Sequence, residues 1–171
     1  MLIGGDIKNG EAPPLIDPSI QCKAFEAAAS RGLIPWLDGW RIDRREIVVG
    51  DSRLDYSLKG SRGDQGFLEV KSAFHFTGYY AMYSDGRSTR GRRHILLLHR
   101  MKQQGYRCIL MFVAAHPEAR AFKPDSKSDQ ELSLSLALAA SDGVEVYAVA
   151  MSIRADGEIR LLDSRLPVHL D

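Results

Sequence analysis

The chain has few of the features that mark secreted, metal-stapled or membrane-embedded proteins. It holds two cysteines in 171 residues, Cys22 and Cys108, and neither has a second cysteine or a ligand spacing beside it. That argues against both a disulfide framework and a structural zinc. The first residues, MLIGGDIKNGEAPPL, lack the basic stretch and apolar run of a signal peptide. No apolar run approaches the ~20 residues needed to span a bilayer. A cytoplasmic protein with no membrane partner is therefore expected. There is no internal repeat and no low-complexity tract. Excess charge is missing too: 23 basic residues face 22 acidic ones, a net +1. Any case for an anionic partner must then rest on local clusters. The length and the 44% hydrophobic content fit one domain with a sizeable core. We place it at residues 17–171, after a loosely attached lead-in of residues 1–16.

What is present centres on Ser52 to Lys71. Two short alternating runs flank a loop rich in Gly, Ser and Asp. Side chains alternate across a strand. Leu54, Tyr56 and Leu58 are expected on one face and Asp55 on the other. In the second run Leu68 and Val70 share a face, and Glu69 and Lys71 share the opposite one. Paired as a hairpin, the runs bring an Asp, a Glu and a Lys to one surface of a sheet.

Asp17-Pro18 reads as an N-cap followed by Pro at the first helical position, opening a helix that stops near Gly32. Its expected apolar stripe is Ile20, Ala24, Ala27 and Ala28, with Glu26 on the solvated side. Residues 44–49 read as a strand before the hairpin. Ala73 to Asp85 is aromatic without a clear period, and is expected to extend the third strand and then loop over the site. Ser88 to Gln104 reads as a helix whose inward stripe is Leu97, Leu98 and Met101 with Ile95 at its margin. Arg90 and His94 fall on the same side one turn earlier, while Arg92, Arg93 and His99 point elsewhere. A helix avoids burying such groups unless something negative awaits them. Arg107 to Ala115 is a continuous apolar run, the signature of a strand covered on both faces. His116 to Lys127 reads as a polar loop. Ser128 and Glu131 have capping-box spacing and open a helix through Leu132, Leu134, Leu136 and Leu138. Val144 to Ile153 and Ile159 to Leu162 close the chain as a strand and a terminal hairpin. Both cysteines look buried. The sum is an α/β core, a mixed central sheet flanked by helices.

Asp55 and Glu69 on adjacent strands make a hard-oxygen site suited to Mg²⁺ or Mn²⁺. Such a metal polarises a phosphodiester and lowers the pKa of bound water. Lys71 would position the attacking water or stabilise developing charge. The basic residues Arg87, Arg90, Arg92, Arg93 and His94 gather near one helix N-terminus. With Tyr79, Tyr80 and Tyr83 just upstream they form a candidate nucleic-acid surface, charge for phosphates and rings for bases. The plainer readings are an exposed ion pair on a strand face, a solvated helix face and core tyrosines.

The blocks SRLDY, FLEVKS, STRGRRH, GYRCILMFV, DGVEVYA and RLPVHL, in this order and spacing, resemble the sugar fermentation stimulation protein A (SfsA) family from about Ile16 onward. The resemblance implies a restriction-endonuclease-like, PD-(D/E)xK core. Asp55 and Glu69 would then be metal ligands and Lys71 the catalytic lysine, with DNA as partner and a regulatory role in sugar utilisation. Asp85 sits where the family tends to have an Asp. The family's full-length members resemble a two-part chain with an OB-like domain ahead of this region, where only the short lead-in is expected here. A metal-dependent DNA nuclease is the first expectation and a non-catalytic DNA-binding regulator on the same scaffold the second. A protein-interaction subunit is a weaker third. The sequence leaves the oligomeric state open, a homodimer included.

Overall fold

Asp17 opens the first helix as its neighbours dictate. In the computed structural model, which describes residues 14–85, 89–154 and 156–170, its carboxylate accepts from the backbone N–H groups of Ser19 at 2.8 Å and Ile20 at 3.2 Å. Helix α1 runs Pro18–Ser30 and ends at Gly32, which takes a φ of +67°. Its buried stripe is Gln21, Ala24, Phe25 and Ala28, one residue round from the expected one, leaving Ile20 and Ala27 half-buried. Gln21 is the reason for the rotation. Its amide donates to the Leu15 carbonyl and to Ser72 Oγ, tying the helix to the lead-in and to the sheet. Leu15 itself is buried, so the loose attachment expected through residue 16 fails at the last residues of the lead-in.

Strands β1 (Trp40–Val49), β2 (Ser52–Gly60), β3 (Gln65–Ala73), β6 (Arg107–Ala114), β8 (Glu145–Ile153) and β9 (Ile159–Leu166) form one sheet in the order β1-β2-β3-β6-β8-β9. β3, β6 and β8 are mutually parallel, and the outer pairings are antiparallel. β6 is covered on both faces, as its uninterrupted apolar run requires. Ile109, Met111 and Val113 pack under α1 with Trp36 and Phe25. Cys108, Leu110 and Phe112 pack under helices α2 (Arg90–Gln103) and α3 (Gln130–Ser141).

The aromatic segment after β3 is not a loop over the site. It forms β4 (His75–Thr77) and β5 (Tyr80–Tyr83), which join β7 (Ala121–Pro124) in a second sheet of order β4-β5-β7. β7 lies within the stretch expected to be a polar loop. Its pairing with β5 is parallel and joins segments some forty residues apart, a partner that local pattern does not reveal. Helix α3 begins one step later than expected. Asp129, not Ser128, caps it by accepting from the Leu132 N–H at 3.0 Å, while Ser128 Oγ donates to Asp125. Leu132 and Leu136 are buried, and Leu134 and Leu138 are exposed on its far side.

β2 also departs from simple alternation. Tyr56 and Leu58 pack on the α1 side, but Leu54 joins the core under α2. Across from this point β1 is irregular. Its register slips between Ile42 and Arg44, and Glu46 takes a φ of +52°, alone among the described non-glycine residues in being positive. A left-handed residue costs about 1–2 kcal/mol without glycine, and such kinks re-aim neighbouring side chains. Glu46 falls opposite Asp55, because Arg45 pairs with Tyr56 and Ile47 with Leu54.

The N-terminus of α2 is fixed by a close contact. Thr89, at the cap position, makes no capping hydrogen bond with its side chain, and Asp85 accepts from the Gly91 N–H at 2.7 Å instead. A Cβ on Gly91 would lie 2.7 Å from both Asp85 Oδ1 and the Tyr83 hydroxyl. Gly91→Ala is expected to cost about 1–3 kcal/mol through overpacking. Urea denaturation checks this. Combining it with Asp85→Ala should lose less than the sum of the two single changes, since the clash and the cap share one carboxylate.

Candidate functional site

The site forms where two strands part company. The ladder between β2 and β3 runs from the Lys59–Gln65 pair to the Tyr56–Leu68 pair and stops. At the next position the backbones are joined by side chains. Glu69 Oε2 accepts from the Asp55 N–H at 3.1 Å, and Asp55 Oδ2 accepts from the Val70 N–H at 2.7 Å. Each carboxylate therefore satisfies the backbone of the opposite strand, and the two acids are held side by side. Buried N–H groups need partners, so the splay and the two acids require one another.

The remaining oxygen of Glu69 faces helix α2. Lys71 Nζ donates to Glu69 Oε1 at 2.6 Å, and His94 Nδ1 contacts the same oxygen. Lys71 Nζ also lies 3.3 Å from His94 Nδ1. An ionised carboxylate only accepts, so the His94 proton belongs on Nδ1. Glu69 and His94 are each 2% exposed, and Lys71 is half-buried. Desolvation alone would raise the Glu69 pKa, but the hydrogen bond from His94 and the Lys71 charge outweigh it and bring it below the ordinary value. Asp55 has neither of these donors in contact with it. Burial first and the Glu69 charge second push it up to about 6.

The expected cluster Asp55, Glu69, Lys71 and His94 is thus assembled in one place. The expected basic face is not assembled as a unit. Arg87 lies outside the described residues. Arg90 is exposed at the first residue of α2 rather than turned inward, because that turn projects past the core that His94 reaches. Arg92 is paired with Glu131 at the start of α3 and lies 3.9 Å from Asp129, so its charge is already met within the protein. Arg93 is exposed. His99 pairs with Asp142 at 2.6 Å.

Sequence reasoning passes over several residues that build the surroundings. Glu26, expected on the solvated side of α1, accepts from the Tyr56 hydroxyl at 2.7 Å and pairs with Arg45 at 2.6 Å. Burial raises the Tyr56 pKa, and the bond to Glu26 raises it further. Cys22 is half-buried rather than buried, and burial raises its pKa with Tyr56 and Asp55 both near enough to act on it. Asp129 connects α3 to the site's approach, since its Oδ2 accepts from the Asp85 N–H at 3.4 Å. The two aspartates are 44 positions apart in the chain, so no local pattern signals that contact.

A family model described as the sugar fermentation stimulation protein RE domain matches residues 19–157. The chain belongs to this family. An SfsA family homolog from Pyrococcus furiosus is 43% identical over 145 residues, covering 85% of this chain and 63% of that one. One from Archaeoglobus fulgidus is 42% identical over 118 residues, covering 69% and 49%. This member thus spans roughly half to two-thirds of the length of these curated relatives. The structure of Pyrococcus furiosus SfsA, solved in complex with Ca²⁺, aligns with a TM-score of 0.88 at 36% identity, over 99% of this chain and 76% of that one. The core is accordingly the restriction-endonuclease-like fold of the SfsA RE domain. Among the described residues, no helix is long and apolar enough to cross a membrane.

The raised Asp55 pKa has a stability consequence. Between an unfolded value near 3.8 and a folded value of about 6, the unfolded chain gives up its proton first, so Asp55 weakens folding as pH rises through that window. The full penalty above pH 6 is about 3 kcal/mol. Asp55→Asn keeps an acceptor for the Val70 N–H and removes the charge. It should melt higher than wild type at pH 8, with the difference vanishing near pH 4. Thermal melts at the two pH values check this, and equal melting at pH 8 would contradict it.

Proposed function

We propose that this chain is a metal-dependent nuclease domain acting on DNA. The observation that carries the reading is the reciprocal Asp55–Glu69 bridge with Lys71 on the same carboxylate. The donor chemistry fits a hard divalent ion. Asp55 Oδ1 has no hydrogen-bond partner among the described residues, and the Asp55 charge, disfavoured first by burial and second by the Glu69 carboxylate, is one that a bound cation would stabilise. Among the described residues no group of three His, Cys, Asp or Glu side chains is set to hold a metal. Two carboxylates with the balance from water and substrate phosphate is the habit of Mg²⁺ and its analogues. The Ca²⁺ in the Pyrococcus furiosus SfsA structure supports a divalent site in the family.

Asp55 and Glu69 would hold Mg²⁺ or Mn²⁺, which when bound supplies Lewis-acid polarisation of the phosphodiester. The chain's own residues do the rest. Lys71 donates toward the attacking water or the developing charge on phosphate. His94 shares Glu69 Oε1 with Lys71, and so restrains both the carboxylate and the ammonium. Arg90 and Arg93, exposed near the start of α2, face phosphates of a bound strand.

A second reading, a DNA-binding regulator without turnover, draws on the same contacts. Glu69 is already fully engaged by Lys71, His94 and the Asp55 N–H, a set that is complete without a metal.

The test is cleavage of labelled single- and double-stranded DNA with Mg²⁺, Mn²⁺ or chelator. Wild type should cut only with metal. Asp55→Ala, Glu69→Ala and Lys71→Ala should each lose about 10²-fold or more. No metal-dependent cutting by wild type, together with salt-sensitive binding that survives Asp55→Ala and weakens on Arg93→Ala, would leave the regulator reading in its place.

A further inference from the structure

One face of the arm formed by β1, β2 and β3 carries positive charge that the protein itself does not neutralise. Opposite residues of antiparallel strands share a face. Ser57 lies between Arg44 and Phe67, and Lys59 between Arg41 and Gln65, in two successive rows. Phe67 packs with Tyr106 on the α2 side of the sheet, so both rows face that side. The opposite face belongs to α1, where Tyr56 and Leu58 are buried and Arg45 is held by Glu26 at 2.6 Å. Arg44, Ser57, Lys59, Gln65 and Phe67 line one cleft of about 260 Å³. That is below the roughly 300–1,000 Å³ that encloses a small-molecule ligand.

The polar groups of this cleft have few partners within the chain. Arg41 Nη1 lies 3.8 Å and Arg44 Nε 3.7 Å from Asp43, beyond hydrogen-bond distance, and the two side chains are 67% and 78% exposed. One carboxylate is thus shared loosely between two guanidiniums. Lys59 is exposed and has no ion-pair partner among the described residues. Three cations against one carboxylate leave a local charge of +2, in a chain whose net charge is +1. Ser57 Oγ is buried with no hydrogen-bond partner among the described residues, an exception for a buried hydroxyl and one that a bound oxyanion would remove.

The cleft is continuous with the candidate site. The Ser57–Phe67 pair adjoins the Tyr56–Leu68 pair at which the ladder stops, and Asp55 stands in the gap beyond. Two residues of strand rise about 6.7 Å, so Asp55, Ser57 and Lys59 mark steps comparable with that between neighbouring phosphates of a nucleic-acid strand. Acids that suit a cation at one end, and unneutralised cations at successive steps from it, fit a polyanion running through the site. Phe67, the ring that lines the cleft, is half-buried against Tyr106, so the cleft offers charge for a backbone and little for a base. We infer that this cleft is a phosphate-binding subsite, in which Arg41, Arg44 and Lys59 hold the sugar–phosphate backbone of the strand that enters the Asp55–Glu69 site. The inference rests on the nucleic-acid reading of that site and adds where the strand lies beside it.

Fluorescence anisotropy in chelator, with labelled duplex and single-stranded DNA each in two unrelated sequences, tests it apart from turnover. Arg44→Ala and Lys59→Ala, both at exposed positions, should each weaken binding roughly 5- to 8-fold at about 0.1 M salt, equally for both sequences. Each should also make the log–log salt dependence shallower by about 0.7–0.9. Asp43→Asn, which removes the carboxylate that the two guanidiniums share, should tighten binding. Unchanged binding in both alanine variants, a loss limited to one sequence, or weaker binding by Asp43→Asn would overturn the subsite. So would binding of a polyglutamate peptide that depends on Arg44 and Lys59 where DNA binding does not, since that assigns the cleft to an acidic protein. Metal-dependent cleavage with DNA binding indifferent to Arg44 and Lys59 would overturn the subsite alone. Absence of cleavage alongside the expected binding losses would instead overturn only the nuclease reading.

Discussion

The parting of β2 from β3 after the Tyr56–Leu68 pair is the constraint on which the site depends. Two strands leaving each other leave part-buried N–H groups without their ladder partners. Here Asp55 and Glu69 supply the missing acceptors, each to the other strand. The acids are thereby positioned by backbone, not by a flexible side-chain arrangement. Glu69 is fixed a second time by Lys71 and His94. Removing one member of such a set exposes the charges of the others, which is why buried ion-pair clusters resist piecemeal change.

Holding His94 against Glu69 requires α2 to dock at one height and rotation. Gly91 allows this by letting Tyr83 and Asp85 approach the helix where a Cβ would collide. Arg92 completes the docking from the other side by pairing with Glu131, while Asp129 both caps α3 and receives the Asp85 N–H. The basic run at the start of α2 thus divides. Arg92 joins two helices, His94 joins the acid cluster, and Arg90 and Arg93 remain at the surface.

Much of this was legible in the sequence, for local reasons. The Asp17-Pro18 cap, the stripe of α2 and the two-sided burial of β6 each follow from residues within one element. The Asp55, Glu69 and Lys71 cluster followed from the alternation of two neighbouring runs. What escaped detection was non-local. β7 has four residues and a partner some forty positions away, so nothing nearby marks it as a strand. Leu54 crosses to the α2 side where β1 kinks at Glu46, and no side-chain pattern in a Glu announces a positive φ. The helical wheel places Arg90 with His94 correctly in angle but not in height, because the first turn of a helix can overhang its core. Gln21 displaces an apolar stripe because its two hydrogen bonds reach residues on other elements.

The two acids end with opposite proton affinities although they differ by one methylene and lie side by side. Both are desolvated. Glu69 has two donors on one oxygen and falls below its ordinary value; Asp55 has a neighbouring carboxylate and rises to about 6. Environment, not residue type, sets the pair apart. The Lys71 ammonium is held on Glu69, so the charge that burial disfavours most is the one on Asp55. A protein selected for stability alone would place an amide there, since an amide also accepts from Val70. Under the proposed metal-dependent reading, that carboxylate is the group whose unfavourable charge a bound cation would relieve, through the Asp55 oxygen that no backbone group occupies.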